Sequence, residues 1–162
     1  FVYARHNLEL LKTMASAAPQ VIALHNDQVV GYTLAMTPSL KDKIPCLVPM
    51  FEQFKQVQYK GRALSDYNYI VGGQICVSKE FRGIGLSSML YDETKKRVQD
   101  TCELVITEVS HRNVPSLKAH LKAGFEVAHT YDDADGKEVW DIVVWDIRIN
   151  ILLVHNMFWT YQ

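Results

Sequence analysis

The chain has 162 residues, 48% of them apolar and 22% charged, with a formal net charge of −1. That length suits one domain with a sizeable core, and the interspersed charges argue against a basic nucleic-acid stripe. No run of about 18 apolar residues occurs, so no membrane span is expected.

Apolar spacing divides the chain into elements. Asn7 is placed to cap a helix through Leu8, Leu11, Met14, Ala15 and Ala18, and Pro19 stops it. Val21–Leu24 and Gln28–Met36 read as strands joined by an Asn26-Asp27 turn. Residues 37–68, broken by Pro38, Pro45 and Pro49, form an excursion too long for a hairpin loop. Within it, Met50 to Tyr59 reads as a short helix with Phe51, Phe54 and Val57 inward. Such connections are either binding loops or packed surface excursions.

Tyr69 to Val77 reads as a strand, and Gly72-Gly73 inside it marks a bulge or a close backbone approach. A helix follows, with Leu86, Met89, Leu90 and Val98 as its apolar stripe. Leu104 to Val109 has the character of a buried strand. Asn113 then caps a helix with Pro115 in its first turn, Val114, Leu117 and Leu121 inward, and Gly124 at its end. Phe125 to Tyr131 and Val139 to Ile147 are the last strands, joined by the acidic turn Asp132-Asp133-Ala134-Asp135-Gly136. The tail from Arg148 to Gln162 is apolar without a clean period: it extends the last strand, covers a partner (a homodimer being one form of that) or lacks fixed structure. This order predicts a single-domain α/β fold (α+β by some schemes), a mixed, mostly antiparallel sheet flanked by helices.

Cys46, Cys76 and Cys102 are odd in number and widely spaced, which gives neither a disulfide framework nor metal-ligand spacing. No His-x-x-x-His spacing occurs and the acidic turn lacks the EF-hand pattern, so no metal is expected. Reduced cysteines suit a cytoplasmic protein.

Two segments carry candidate chemistry. The first is Val77 to Ser88, where a strand ends, a charged loop follows, and Arg82-Gly83-Ile84-Gly85-Leu86-Ser87 opens a helix. Free N–H groups at a helix start, the helix dipole and an Arg favour a phosphate, while two glycines permit a tight turn. A plain loop-to-helix transition is the alternative. The segment is neither a Walker A loop nor a dinucleotide fingerprint, because no Gly-Lys-Ser/Thr follows and Ser88 stands where the third glycine belongs.

The second segment is Leu104 to Phe125. Alternation places Leu104, Ile106 and Glu108 on one face of the strand. A carboxylate there reads either as a strand-end residue reaching solvent or as a general base in a cleft, its pKa raised by partial burial. In the following helix His120 lies beside Leu117 and Leu121, as a structural histidine or as a functional one.

Together these segments resemble the GNAT superfamily of acyl-CoA-dependent N-acetyltransferases. The family's signature Q/R-x-x-G-x-G/A appears as Arg82-Gly83-Ile84-Gly85-Leu86-Ser87, with Ser87 in place of the usual Gly/Ala. A second signature appears as Glu108-Val109, then Asn113, Ser116 and Lys122-Ala123-Gly124-Phe125. The hairpin around Val30-Gly31-Tyr32 matches as well, and the likeness spans roughly residues 7–147, within a domain taken as 1–147. Relative to the family, a first strand and helix are expected to be missing ahead of Phe1.

The resemblance implies an acyl-CoA N-acyltransferase fold with splayed central strands and acetyl-CoA as cosubstrate. Amides at Ile75 and Val77 would meet the pantetheine arm, and those from Arg82 through Gly83, Ile84, Gly85 and Leu86 to Ser87 would hold the pyrophosphate. Asn113 and Ser116 would contact the cofactor arm. Glu108 matches the base position of members that acetylate protein N-termini, and His120 stands where the family often carries a Tyr acid. The expected reaction is acetyl transfer to a small-molecule or peptide primary amine in a ternary complex, with Glu108 as base and His120 as donor to sulfur. Phe51, Phe54 and Tyr67 are the expected acceptor contacts, suited to a cationic amine with an apolar portion. The competing class is a non-catalytic acyl-CoA sensor or regulatory module.

Overall fold

Asn7 opens the first helix, α1 (Leu8–Ala17), by accepting the Leu10 N–H on its side chain (2.8 Å). The computed structural model describes residues 4–148, so the expectation for the tail beyond Arg148 falls outside the described residues. The strands β1 (Val21–His25) and β2 (Gln28–Met36) are joined by Asn26 and Asp27, both at positive φ. That is the geometry of a tight hairpin turn.

The excursion holds α2 (Val48–Gln56) and a small hairpin of β3 (Gln58–Tyr59) and β4 (Arg62–Ala63). The chain continues through β5 (Tyr69–Val77), α3 (Leu86–Val98), β6 (Leu104–Ser110), α4 (Val114–Ala123), β7 (Glu126–Asp132) and β8 (Val139–Asp146). Six strands make one sheet in the order β1-β2-β5-β6-β8-β7. Every pairing is antiparallel except β5 with β6. The sheet is therefore mixed and mostly antiparallel, as the element order predicts.

Each face of the sheet carries a core. Leu104, Ile106, Ile142, Val144 and Val71 pack with Met14 of α1 and with Met50, Phe51 and Phe54 of α2. Val105, Val109 and Val143 pack with Tyr91 and Val98 of α3 and with Phe125. Two helical stripes differ from the sequence reading. In α3 the buried residues are Leu90, Tyr91, Thr94 and Val98, while Met89 faces solvent. In α4 His120 is the buried residue, and Val114 and Leu121 are exposed. A buried hydrogen bond between Thr33 and Thr94 (3.0 Å) explains the polar position in the first of these stripes.

Charges gather where β5 and β6 first meet. Glu103 accepts from Arg62 (2.6 Å), Arg148 (3.0 Å) and the Asn68 backbone N–H (2.9 Å). Asp146 binds Lys60 (2.9 Å) and Arg148 (3.0 Å), and the Arg62 guanidinium lies 3.6 Å from the Tyr67 ring centroid. The Asn68 hydrogen bond, with Arg62 behind it, holds the Glu103 carboxyl below its ordinary value of 4.5. A depressed carboxyl contributes stability that is present above its unfolded pKa and lost as pH falls through its folded one. Stability measured by denaturant titration at stepped pH should therefore decline below about pH 4.5. Glu103→Gln should flatten that decline and cost on the order of 1 kcal/mol at neutral pH.

Candidate active site

The pairing of β5 with β6 covers only Tyr69 to Val71 against Leu104 to Ile106. Leu34 on β2 pairs with Gln74 and Ala35 with Gly72, so Gly73 is an extra residue bulged out of β5. The two strands separate from there on, and a cavity of about 280 Å³ opens between them. It brings together Ile75 from β5, Glu108 from β6, and Asn113, Ser116 and His120 from the α4 region. Met14, Met36, Leu47 and Met50 form an apolar wall.

Glu108 projects on the same face as Leu104 and Ile106, opposite Ile142 of β8. Burial pushes its carboxyl up to about 7, although a hydrogen bond from the Tyr131 hydroxyl (2.5 Å) works in the other direction. A carboxylate that exchanges its proton near neutrality, in a cavity, is matched to general-base work.

His120 lies on the opposite face and is 4% exposed. Its Nδ1 is 2.8 Å from the Ser116 carbonyl, which only accepts, so Nδ1 carries the proton. Nε2 then accepts from the Tyr91 hydroxyl (2.6 Å). Burial lowers the pKa of the imidazole, with the Ser116 bond opposing. Both ring nitrogens are engaged in these bonds, and burial favours the neutral ring. The end of α4 holds His120 in place. Gly124 takes φ +107, its N–H donates to the Leu121 carbonyl, and the Phe125 N–H donates to that of His120 (3.1 Å each). This is the Schellman arrangement, and the Phe125 ring meets the His120 ring edge-on with centroids 5.1 Å apart.

The loop after β5 does not line the cavity but continues from its Ile75 wall. Arg82 Nε donates to the Val77 carbonyl (3.1 Å), folding the loop back on the strand end. Gly83 (φ +78) and Gly85 (φ +85) take left-handed backbone conformations that disfavour other residues. No side chain caps α3, so the first-turn N–H groups, including those of Leu86 and Ser87, have no intrahelical partner. Bare amides at a helix start suit a pyrophosphate, and an unpaired strand edge suits an extended amide-bearing arm. The residues thus fit an acyl-CoA.

The remaining expected acceptor residues lie elsewhere. Phe54 (0% exposed) and Phe51 (4%) are core, stacked edge-on with each other, because α2 turns its aromatic face to the sheet. Tyr67 (6%) donates to the Tyr59 carbonyl and carries Arg62 on its ring. None of the three lines the cavity. The excursion reaches it through Leu47 and Met50 instead. Sequence reasoning also misses Tyr91 and Tyr131. The α3 stripe centred on Leu86 and Leu90 hides Tyr91, although its spacing of i, i+3 and i+7 with Thr94 and Val98 marks the buried face.

Among the described residues no helix is long and apolar enough to cross a membrane, and no group of three or more His, Cys, Asp or Glu is placed to hold a metal ion.

A sheet split beside its one parallel pairing, with a glycine turn and an uncapped helix at the mouth, defines an acyl-CoA-dependent N-acyltransferase. Residues 3–125 match the model of the acetyltransferase (GNAT) family, and the chain belongs to that family. The fold is shared with a GNAT family acetyltransferase from Elizabethkingia anophelis solved with acetyl-CoA bound (TM-score 0.59, 11% identity, 88% of this chain and 85% of that one). It is also shared with the ribosomal-protein-S18-alanine N-acetyltransferase from Escherichia coli (0.54, 15%, 84% and 76%). The NatC complex bound to Gag peptide and CoA contains a further similar chain (0.63, 12%, 89% and 82%). No curated protein matches the sequence significantly.

Proposed function

We propose that this chain acetylates a primary amine by direct attack in a ternary complex, with Glu108 as general base. The observation that carries the reading is a half-buried carboxylate set in the cavity between β5 and β6, where desolvation pushes it up to about 7. Bound acetyl-CoA supplies a thioester carbon open to attack. The N–C bond forms as the C–S bond breaks, and the C–S electron pair leaves on sulfur as the CoA thiolate, which takes a proton from solvent. The amine proton passes to Glu108, directly or through one water. The free edge of β5 around Ile75 and Val77 aligns the arm, and the amides from Arg82 to Ser87 hold the phosphates. Asn113 and Ser116 face the arm from α4.

The acceptor enters on the Glu108 side, where Met14, Met36, Leu47 and Met50 favour an apolar portion next to the amine. Small amines and the α-amines of peptides both meet that description, and the bound peptide of the NatC complex supports including peptides in the screen. Thiol release from acetyl-CoA across a panel of amines and short peptides tests the reading. Binding of acetyl-CoA with no turnover on any acceptor would make the chain a sensor instead.

The phosphate loop has its own test. Gly85→Glu adds negative charge where anions should sit and places a side chain at φ +85. Arg82→Ala removes the loop's arginine. Each should weaken acetyl-CoA binding by about 10-fold or more, read by calorimetry, since hydrogen bonds to charged groups contribute about 1.5–3 kcal/mol. Unchanged affinity in both variants would move the phosphates elsewhere.

A further inference from the structure

We propose that Tyr131 is a positioning residue for the base: its hydroxyl holds the Glu108 carboxylate in its anionic form and aims it into the cavity. The inference rests on the reading of Glu108 as base.

The backbone goes out of its way to bring the two together. Tyr131 is on β7, the edge strand, and β8 lies between it and β6. Register at the start of the β7–β8 pairing sets Val127 opposite Val143. Continued without interruption, it would put Thr130 on the Glu108 face and turn Tyr131 to the other side. A bulge at Ala128 shifts the register by one residue, so His129 pairs with Ile142 and Tyr131 with Trp140. Ile142 and Trp140 are also the β8 partners of Glu108 and Ser110. Tyr131 therefore lies on the Glu108 face and spans β8 to reach Oε1 (2.5 Å). Thr130, on the opposite face, donates to Asp141 (2.6 Å). Bulges beside active sites commonly re-aim a side chain in this way.

The chemistry follows from the donor. A buried carboxylate without a donor is driven to its neutral form. The Tyr131 O–H opposes that drive and engages one oxygen, leaving the other for the amine or a water. Other titratable groups line the same cavity: His6 ahead of α1, Tyr91 on α3, His120 on α4 and Glu138 just ahead of β8. His120 is bound to Tyr91 and Ser116, and Glu138 is bound to Ser110 (3.0 Å) and Arg112 (3.1 Å). The causes acting on the Glu108 proton are burial and Tyr131, with no nearby charge contributing.

The test is the pH profile of kcat/KM for acetyl transfer, once an acceptor is in hand. Tyr131→Phe keeps the ring and removes the donor, so its acid limb should move alkaline by about one pH unit, with about 5-fold loss at pH 7, about 10-fold well below it, and recovery at high pH. 3-Fluorotyrosine at position 131, a stronger donor of similar shape, should move the limb the opposite way, which keeps the test alive if Tyr131→Phe folds poorly. An unmoved limb in both variants, while Glu108→Gln still abolishes it, would overturn the proposal and leave Glu108 as base. A limb and rate untouched by Glu108→Gln would overturn the reading of Glu108 and this proposal with it. A residue with a purely structural role would change the melting temperature without moving the limb.

Discussion

Glu108→Gln should lower kcat/KM for the acceptor by about 10²–10⁴-fold, the usual cost of losing a general base. The loss should be greatest above pH 7, where the wild-type carboxylate is charged, and the rise in rate through about pH 7 should vanish. Gln retains an oxygen that accepts the Tyr131 hydroxyl, so the variant should fold. The sign of its stability change is itself informative. A carboxyl whose folded pKa is raised contributes stability that is lost as pH rises through that value. Glu108→Gln should therefore match the wild type in acid and exceed it at pH 8, in denaturant titrations at both pH values. Residual turnover is compatible with the assignment, because holding amine and thioester together can contribute about 7–11 kcal/mol without any base.

Gly124→Ala should be the most damaging small change to stability. At φ +107 an L-residue is strained, and the added Cβ would sit 2.9 Å from Trp145 Nε1. The left-handed backbone costs roughly 1–2 kcal/mol and overpacking about 1–3 more. The melting temperature of a domain this size falls by about 2–4 °C per kcal/mol. Gly136→Ala is the control: φ is +64 there, with nothing within 4 Å of the added carbon, so only the backbone cost applies. Equal losses in the two variants would mean that Trp145 simply moves aside. The effect of Gly124→Ala should extend to the cavity, because the same turn pins the His120 carbonyl and sets Phe125 against its ring.

Which parts of this were legible in the sequence depends on how local the physics is. Caps and turns were legible because they are decided within a few residues: Asn7, Asn26-Asp27, Asn113 and Gly124 all behave as their chemistry dictates. Alternation placed Glu108 on the Ile106 face, and Gly72-Gly73 marked the bulge. The hairpin of β3 and β4 was hidden, because two-residue strands have no period to read. Helical spacing turned Phe51 and Phe54 inward, and they are buried, but whether they or Tyr67 face a pocket or the core was unreadable, since an aromatic suits both. Tyr131 escaped for a more specific reason. Strict alternation groups Val127, His129 and Tyr131 on one face, and the bulge at Ala128 breaks that group after its first member. His120 was legible by its family position, but its ring partner Tyr91 was not, because a hydrogen bond between two helices has no signal in local spacing.

The excursion at 37–68 touches both ends of the parted strands. Leu47 and Met50 wall the open end, while Lys60 and Arg62 bind Asp146 and Glu103 at the closed one. With α2 as the rigid bar between them, a single inserted segment works as a brace across a wedge. It anchors the fulcrum with ion pairs and sets the width of the gap with apolar side chains. Exchanging the bar for a shorter or longer one would change the aperture offered to an acceptor while leaving every strand of the sheet in place.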